Sequence, residues 1–414
     1  MGMTRKLYET DGLLAECTAV ITGYENIEGK HYITLDQTIL FPEGGGQKAD
    51  TGLLIVEDNA AGKSNDDGNV PASNETGGRS VRVLDGHERV KGCSLSGPVY
   101  LISEALPVGA SVLCKPDWEQ RFSRMQQHSG EHILSGLVHA NFGYDNVSFH
   151  LSDTDPVIVC FNGPLSEEEI RRMETLANQA IWNNIPINVS YPSKEELASI
   201  TYRSKIEIEG QVRLVTIPGI DVCACCAPHL PSTGHIGLIK IVSSASYKNG
   251  GTQLNILCGS RALALLQHEY DLLQNLAKEF STSAEKLTGV ILTQRDELLK
   301  AREELGSIRE KKLLDEIVAL TEEDAPCIFG EDLSPHAMKI CYNALTDRFD
   351  RYCGVFSGSD EEGYRFYAGH PAHDSKILAG KMREELQANG GGSADMIQGK
   401  LQKKKEEIKL FFLK

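Results

Sequence analysis

A chain of 414 residues, 41% hydrophobic and 24% charged, is long enough for two to four domains with their own cores, and no apolar run reaches the length of a membrane span. The net charge of −16 argues against broad, non-specific nucleic-acid binding and leaves room only for a local basic groove. Eleven scattered Cys and an N-terminus without an apolar signal core point to a reducing, cytoplasmic compartment, where clustered Cys mean metal or catalysis rather than disulfides.

Residues 1–115 are predicted to be β-rich. CTAVITGY, HYITLDQTILF, TGLLIVED, RSVRVLD and PVYLIS are short, rich in Val, Ile and Thr, and separated by turn residues. That spacing predicts a small barrel or sandwich. Residues 58–79 are polar and rich in Gly, Ser and Asn, and read as a flexible loop. Within this region FPEGGGQKADTG, Phe41 to Gly52, carries Gly44, Gly45 and Gly46 followed by Gln47. Glycines let a backbone approach a ligand closely, and a carboxamide offers both donor and acceptor. On its own, a glycine run is more often a plain turn.

At about 116 the pattern changes. DWEQRFSRMQQHSGEHILSGLVHANFG predicts one long helix, with Ile133, Leu134, Leu137 and Val138 on its apolar stripe. Strand-like VSFHLSD and DPVIVCF follow, then a helix near 165–182 started by a Ser166/Glu169 capping box. INVSYPS, VRLVTIPG and IGLIKIVSSASY complete an α+β domain over 116–256. Two ligand pairs lie here, His128/His132 and Cys225/His229, each spaced i, i+4. On a helix that spacing puts both side chains on one face. Imidazole and thiolate are preferred zinc ligands, and two such pairs make a tetrahedral N/S set. Spacing leaves Cys223, Cys225 and Cys226 all eligible, with His235 nearby. His128 to His132 also match H-x-x-E-H, the inverted zinc-peptidase pattern, with Glu131 as base.

Residues 257–318 are expected to form a helical coiled-coil or hairpin. Leu266, Tyr270, Leu273, Ala277, Phe280, Ala284, Leu287 and Ile291 follow heptad spacing, resumed by Leu298, Ala301, Leu305 and Ile308. Thr282 with Glu285 would cap a second helix. Residues 319–414 form the last, α/β domain, in which CIFGE, MKICYNAL, YCGVFSG and YRFYAGH suggest strands or short elements. GGGSADMIQGK precedes the final helix, and glycines entering a helix can cradle an anion.

The Gly44 to Gly52 segment, then His128/His132, then Cys225/His229 followed by Thr233-Gly234-His235-Ile236-Gly237, occur in the order of one family pattern. The chain resembles the alanyl-tRNA editing family, both the free-standing AlaX-type proteins and the editing domain of alanyl-tRNA synthetase. Residues 319–414 resemble the DHH-associated domain of the long AlaX forms. The resemblance implies an α+β multidomain protein: an N-terminal β-barrel, a zinc-binding editing domain, a helical segment and a C-terminal α/β domain. It implies a trans-editing hydrolase that deacylates mischarged tRNA-Ala, releasing serine or glycine. His128, His132, Cys225 and His229 would hold zinc (Zn2+), and Gln47 would position substrate or water. Thr38 stands where the family recognises the seryl hydroxyl; such pairing disfavours an alanyl ester, which lacks that group. Gly44, Gly45 and Gly46 would approach the substrate, and a homodimer through the helical segment and last domain is expected. Arg121 and Lys240, with Arg124, Lys248 and the KLQKKKEEIKL tail, are the candidate phosphate contacts on tRNA.

The chain departs from the family in places. Cys226-Ala227 replace two glycines and Pro228 a threonine, and Thr252 and Gln253 stand where arginines are frequent. Four protein ligands normally close a zinc site, so water activation there requires an added or a lost ligand. Two other readings make different predictions. A zinc peptidase would use Glu131 and a carboxylate ligand and dispense with Cys225. A tRNA-binding protein with a structural zinc would bind mischarged tRNA and leave it acylated.

Overall fold

The computed structural model describes residues 4–56, 79–204 and 210–414. The chain divides into two compact units, Met1–Asp271 and Leu272–Lys414. The polar stretch expected as a loop falls almost entirely outside the described residues.

Six strands close a barrel in the first unit: β1 Cys17–Ile27, β2 Lys30–Leu35, β3 Gly52–Val56, β4 Ser80–His87, β5 Val99–Ile102 and β6 Ser111–Pro116, ordered β1-β2-β5-β4-β3-β6. Alternation places Ile33 with Leu35, Val81 with Val83, and Val112 with Cys114 in its interior. Closure leaves no sheet edge to cover. Two details differ from the sequence expectation. HYITLDQTILF is not one strand, because the Asp36 carboxylate takes the N–H groups of Val20 and Gln37 at 2.7 and 2.8 Å and turns the chain out of the ladder. The next pair, Gln37–Thr38, lies parallel to Arg5–Lys6 instead. β6 was not foreseen; its burial alternates, but in SVLCKP Leu113 stands between the buried Val112 and Cys114, so the run of three apolar residues hides the period of two.

Helix α1, Trp118–Phe142, follows. Residues 124–136 are all buried although eight of the thirteen are polar. Such a helix is stable in an interior only if its polar groups find partners. Gln127 does so with both the N–H and the carbonyl of Cys258, each at 2.8 Å, and Gln126 donates to the carbonyls of His235 and Ile236. Two glycines allow the close approach. A Cβ at Gly130 would lie 2.3 Å from Cys258 Sγ, and one at Gly136 would lie 2.4 Å from the Ile220 carbonyl. Gly143, left-handed at φ 71, ends the helix.

Behind α1 stands a four-stranded antiparallel sheet of β7 Asn146–His150, β8 Val157–Phe161, β12 Ile239–Tyr247 and β13 Gly251–Cys258, ordered β12-β13-β8-β7. Helix α2, Glu167–Trp182, packs on α1 and begins with the predicted Ser166/Glu169 capping box. A second antiparallel sheet joins β9 Asn188–Ser190, β10 Leu214–Ile217 and β11 Asp221–Ala224. Met125, Ile133, Leu134, Val159, Phe161, Met173 and Leu254 share the core between these layers.

Helix α3, Gly259–Glu279, leads into the second unit, where α4 spans Leu287–Ala319. The Thr282/Glu285 capping box does not form. Ser281 is left-handed at φ 49, and the Thr282 N–H turns back to the Ala277 carbonyl at 2.9 Å, a helix ending that consumes the proposed cap residue. A 3-10 turn, Ala284–Lys286, then starts α4. The last five strands are β14 Cys327–Gly330, β15 Cys353–Ser359, β16 Gly363–Gly369, β17 Asn389–Gly392 and β18 Ile397–Leu401, ordered β14-β15-β16-β18-β17. MKICYNAL lies in helix α5, Pro335–Arg348, because Met338, Cys341, Tyr342 and Leu345 bury one helical stripe. The glycine run does not enter a helix. It forms edge strand β17, where a Cβ at Gly390 or Gly392 would lie 2.2 Å from the Gln398 or Met396 carbonyl. α6 Ser375–Leu386 and α7 Lys405–Leu413 complete this unit.

Candidate metal centre

The buried stretch of α1 points His128 and His132 to one side, one turn apart. Cys225 and His229 reach the same place from elsewhere. They lie on the irregular loop after β11, not on a helix, so their i, i+4 spacing has another cause than the one expected. One ligand atom from each of the four residues lies within 4.8 Å of the others. Cys225 Sγ is 3.6 Å from His128 Nε2 and 3.3 Å from His229 Nε2. A tetrahedral zinc with bonds of about 2.0–2.1 Å to nitrogen and about 2.3 Å to sulfur sets its donors about 3.3–3.6 Å apart.

Each imidazole is held from behind. His128 Nδ1 donates to Gln47 Oε1 at 3.1 Å and His132 Nδ1 to Asp221 Oδ2 at 2.9 Å, and His229 Nδ1 lies 3.1 Å from Ser129 Oγ. With Nδ1 carrying the proton, each ring leaves Nε2 as the free ligand atom. Asp221 is itself clamped by Arg203, whose Nε and Nη2 donate to its two oxygens at 2.7 and 2.8 Å. Burial raises the Asp221 carboxyl, but His132 and Arg203 outweigh it and hold the group below its usual range. The thiols differ among themselves. Burial opposes ionisation of Cys225, yet His128 and His229 pull it well below the ordinary thiol value. Cys223 is raised by burial, and Cys226 is pushed up to about 11, also chiefly by burial. The thiolate of the cluster is therefore Cys225.

His128, His132 and Cys225 open on a cavity of about 630 Å³ also lined by Gly45, Gly46, Phe149 and Arg213, and His229 is not part of its wall. Gly44 and Gln47 exchange backbone hydrogen bonds at 3.0 Å, closing a tight turn with Gly45 and Gly46 left-handed at φ 58 and 82. This is the hairpin reading of the glycine run, set against the metal loop. Cys226 Sγ would lie 3.3 Å from a Cβ at Gly45, and the Phe149 ring 3.0 Å from one at Gly46.

Strands β10 and β11 and the loop that carries Cys225 and His229 fall in a region, residues 212–254, that matches the family described as threonyl and alanyl tRNA synthetase second additional domain. Across 408 residues the chain is 28% identical to the alanyl-tRNA editing protein Aarsd1 of Danio rerio, covering 95% of this chain and 91% of that protein. It is 24% identical over 422 residues to the alanyl-tRNA editing protein AlaX-L of Pyrococcus horikoshii, covering 98% and 96%. It is 29% identical over 321 residues to the alanine–tRNA ligase of Ignicoccus hospitalis, covering 76% of this chain and 32% of that enzyme. Over most of its length the chain is homologous to alanyl-tRNA editing proteins.

Other residues singled out in this homologue stand differently. Arg121 is 2% exposed, ion-paired with Asp50, and donates to the Ile39 carbonyl at 3.2 Å. This corrects its expected role: it braces the glycine segment and presents nothing to a phosphate. Arg124 is likewise buried, on Asp153 and the Ala49 carbonyl. Lys240 is half-exposed and paired with Glu174 at 2.9 Å. Thr38 is fully buried; its Oγ1 accepts the Leu40 N–H at 3.0 Å and lies 3.1 Å from the Tyr100 hydroxyl. It is not part of the cavity wall. Glu131, the base of the peptidase reading, accepts from Ser135 Oγ at 2.6 Å and from Asn146.

Sequence reasoning missed Asp221, Arg203 and Ser129. Ligand histidines almost always bond through their second nitrogen, so acids and hydroxyls near the motifs were the signal to follow. Asp221→Asn is expected to weaken metal affinity about 10–100-fold, measured by chelator competition with the fold intact. Unchanged affinity would remove Asp221 from the centre. A second histidine group, Asp350, His370 and His373, lies in the other unit. His370 Nδ1 accepts the Ala372 N–H at 3.0 Å and its Nε2 donates to the Thr346 carbonyl at 3.2 Å, so both ring nitrogens serve the backbone.

Proposed function

We propose that this protein is a trans-editing hydrolase that removes serine, and glycine, from mischarged tRNA-Ala at a zinc site. The observation that carries this reading is the convergence of three supported imidazoles and one thiol on one another, beside a cavity lined by His128, His132, Cys225 and the glycine turn. Homology to proteins named for alanyl-tRNA editing, along nearly the whole chain, supports the substrate. The donor set suits zinc in type, number and spacing. His128, His132, Cys225 and His229 would hold it, and zinc bound there would supply Lewis-acid chemistry to an ester carbonyl.

The chain's own groups do the rest. Asp221, Ser129 and Gln47 fix the three rings, so the centre needs no reordering when substrate arrives. Among the described residues Gln47 Nε2 is a buried donor without a partner, and we assign it to the ester or to the attacking water. Gly45 and Gly46 expose backbone at the wall, where an aminoacyl group can approach. Because Thr38 is engaged inside the barrel, selection of serine through its hydroxyl would require the Tyr100 contact to be exchanged for the substrate. Ile291, Leu298 and Leu305, exposed at heptad spacing on α4, support a homodimer through the helical segment. No helix among the described residues is long and apolar enough to cross a membrane, and the cytoplasm, where tRNA is charged, is the proposed location.

Deacylation of Ser-, Gly- and Ala-tRNA-Ala, with and without chelator, tests the reading. Seryl and glycyl esters are expected to be cleaved, alanyl ester spared, and cleavage lost with the metal. Mischarged tRNA that binds and stays acylated would instead indicate a binding protein with a structural zinc.

A further inference from the structure

Three arginines of the first unit are buried: Arg121, Arg124 and Arg213. Arg121 has Asp50 and Arg124 has Asp153 as carboxylate partners. Arg213, 7% exposed, donates to backbone carbonyls among the described residues. Its Nη1 reaches the carbonyls of Cys225 at 2.7 Å and Ala227 at 3.0 Å. Its Nε and Nη2 reach the Glu9 carbonyl at 3.3 and 3.1 Å. The Glu9 carboxylate turns elsewhere, accepting from the Tyr191 hydroxyl at 3.0 Å and lying 3.9 Å from Lys6 Nζ. Among the described residues no carboxylate comes within ion-pair distance of Arg213.

A buried cation with no counter-ion among its described neighbours is costly, and carbonyl dipoles satisfy its N–H groups without cancelling its charge. Arg213 carries that charge in the wall of the cavity, beside Cys225, and Gly45 and Gly46 line the same cavity. Three backbone carbonyls hold its fork in place, so no side-chain ordering is required when an anion arrives.

We propose that Arg213 makes this wall an anion subsite, which takes the phosphodiester joining the esterified terminal nucleoside to the rest of the RNA. The proposal rests on the aminoacyl-tRNA reading of the cavity. An aminoacyl ester presents an ammonium and no carboxylate, so the nearest anion in such a substrate is that phosphate. Arg213 thereby sets how deep the RNA end enters. It also ties the metal loop to the N-terminal segment through Glu9.

The test is titration calorimetry at low salt with AMP, adenosine and inorganic phosphate, on wild type, Arg213→Gln and Arg213→Lys. Wild type is expected to bind AMP on the order of 10-fold more tightly than adenosine, an advantage that shrinks with added salt. Arg213→Gln abolishes the difference, and Arg213→Lys, which keeps the charge and loses the fork, retains part of it. Equal binding of AMP and adenosine by wild type overturns the subsite, and needs no variant to fold. Survival of the difference in Arg213→Gln also overturns it. Inorganic phosphate binding as tightly as AMP marks a free-phosphate site and overturns the RNA-end assignment. Deacylation is scored apart: an AMP preference that depends on Arg213, in a protein that cleaves no mischarged tRNA, keeps the subsite and rejects the reaction.

Discussion

Cys225→Ala is expected to release the metal and to lower kcat/KM on Ser-tRNA-Ala by more than about 100-fold, the upper end of what losing an outer partner of a zinc ligand costs. Cys225 is the one anionic donor of the set, held as a thiolate by His128 and His229 despite its burial. Without it, only the three imidazoles are left to face a dication, and neither neighbouring thiol takes its place. Cys223 and Cys226 are both raised, and Cys226 packs toward the glycine turn. Metal content by elemental analysis and single-turnover deacylation check both halves of the expectation. The variant also separates the competing chemistries. A peptidase built on His128, Glu131 and His132 has no use for a sulfur ligand, so full activity in Cys225→Ala would favour it. Retention of the metal would show that another donor completes the set.

Asp50→Ala is expected to destabilise the first unit by about 3–5 kcal/mol, because it leaves the Arg121 guanidinium charged, buried and unpaired. Asp50 Oδ2 accepts the Phe41 N–H at 2.8 Å and pairs with Arg121. Arg124 adds a bond from Nη1 to the Ala49 carbonyl at 2.7 Å. The chain from Phe41 to Asp50, which carries the glycine turn and Gln47, is thus pinned to the helix that carries His128 and His132. Chemical denaturation measures the loss. Adding Arg121→Met to Asp50→Ala is expected to recover much of it, since the buried charge is then gone too. A loss below about 1 kcal/mol, the range of a solvated pair, would mean that water reaches Arg121.

Much of the local structure was legible in the sequence. Alternating Val, Ile and Leu marked five of the six barrel strands. Ser166 and Glu169 marked the start of α2 to the residue. The wrong assignments share one cause. MKICYNAL was short enough to fit either period, and the glycine run before β18 has no side chains to show a period at all. Thr282 and Glu285 had cap spacing, yet Ser281 had already turned the helix end onto Ala277. Short-range pattern decides an element only where no competing bond reaches it first.

By itself the sequence determined the chemical types available for a site: two histidines one helical turn apart, a second Cys/His pair, a glycine turn followed by an amide. Those follow from residue identity and spacing, which are local. Only the tertiary structure decided which sulfur meets the imidazoles, which groups hold their second nitrogens, and which arginines are struts. Arg121 and Arg213 look alike in sequence, each a cation in a mixed segment. Their difference is one of partners: Asp50 lies 71 residues away from Arg121 along the chain, while Arg213 meets three carbonyls and, among the described residues, no acid. Charge compensation acts through space over a few ångströms, so a feature of this kind exists only once the fold has brought its distant parts together.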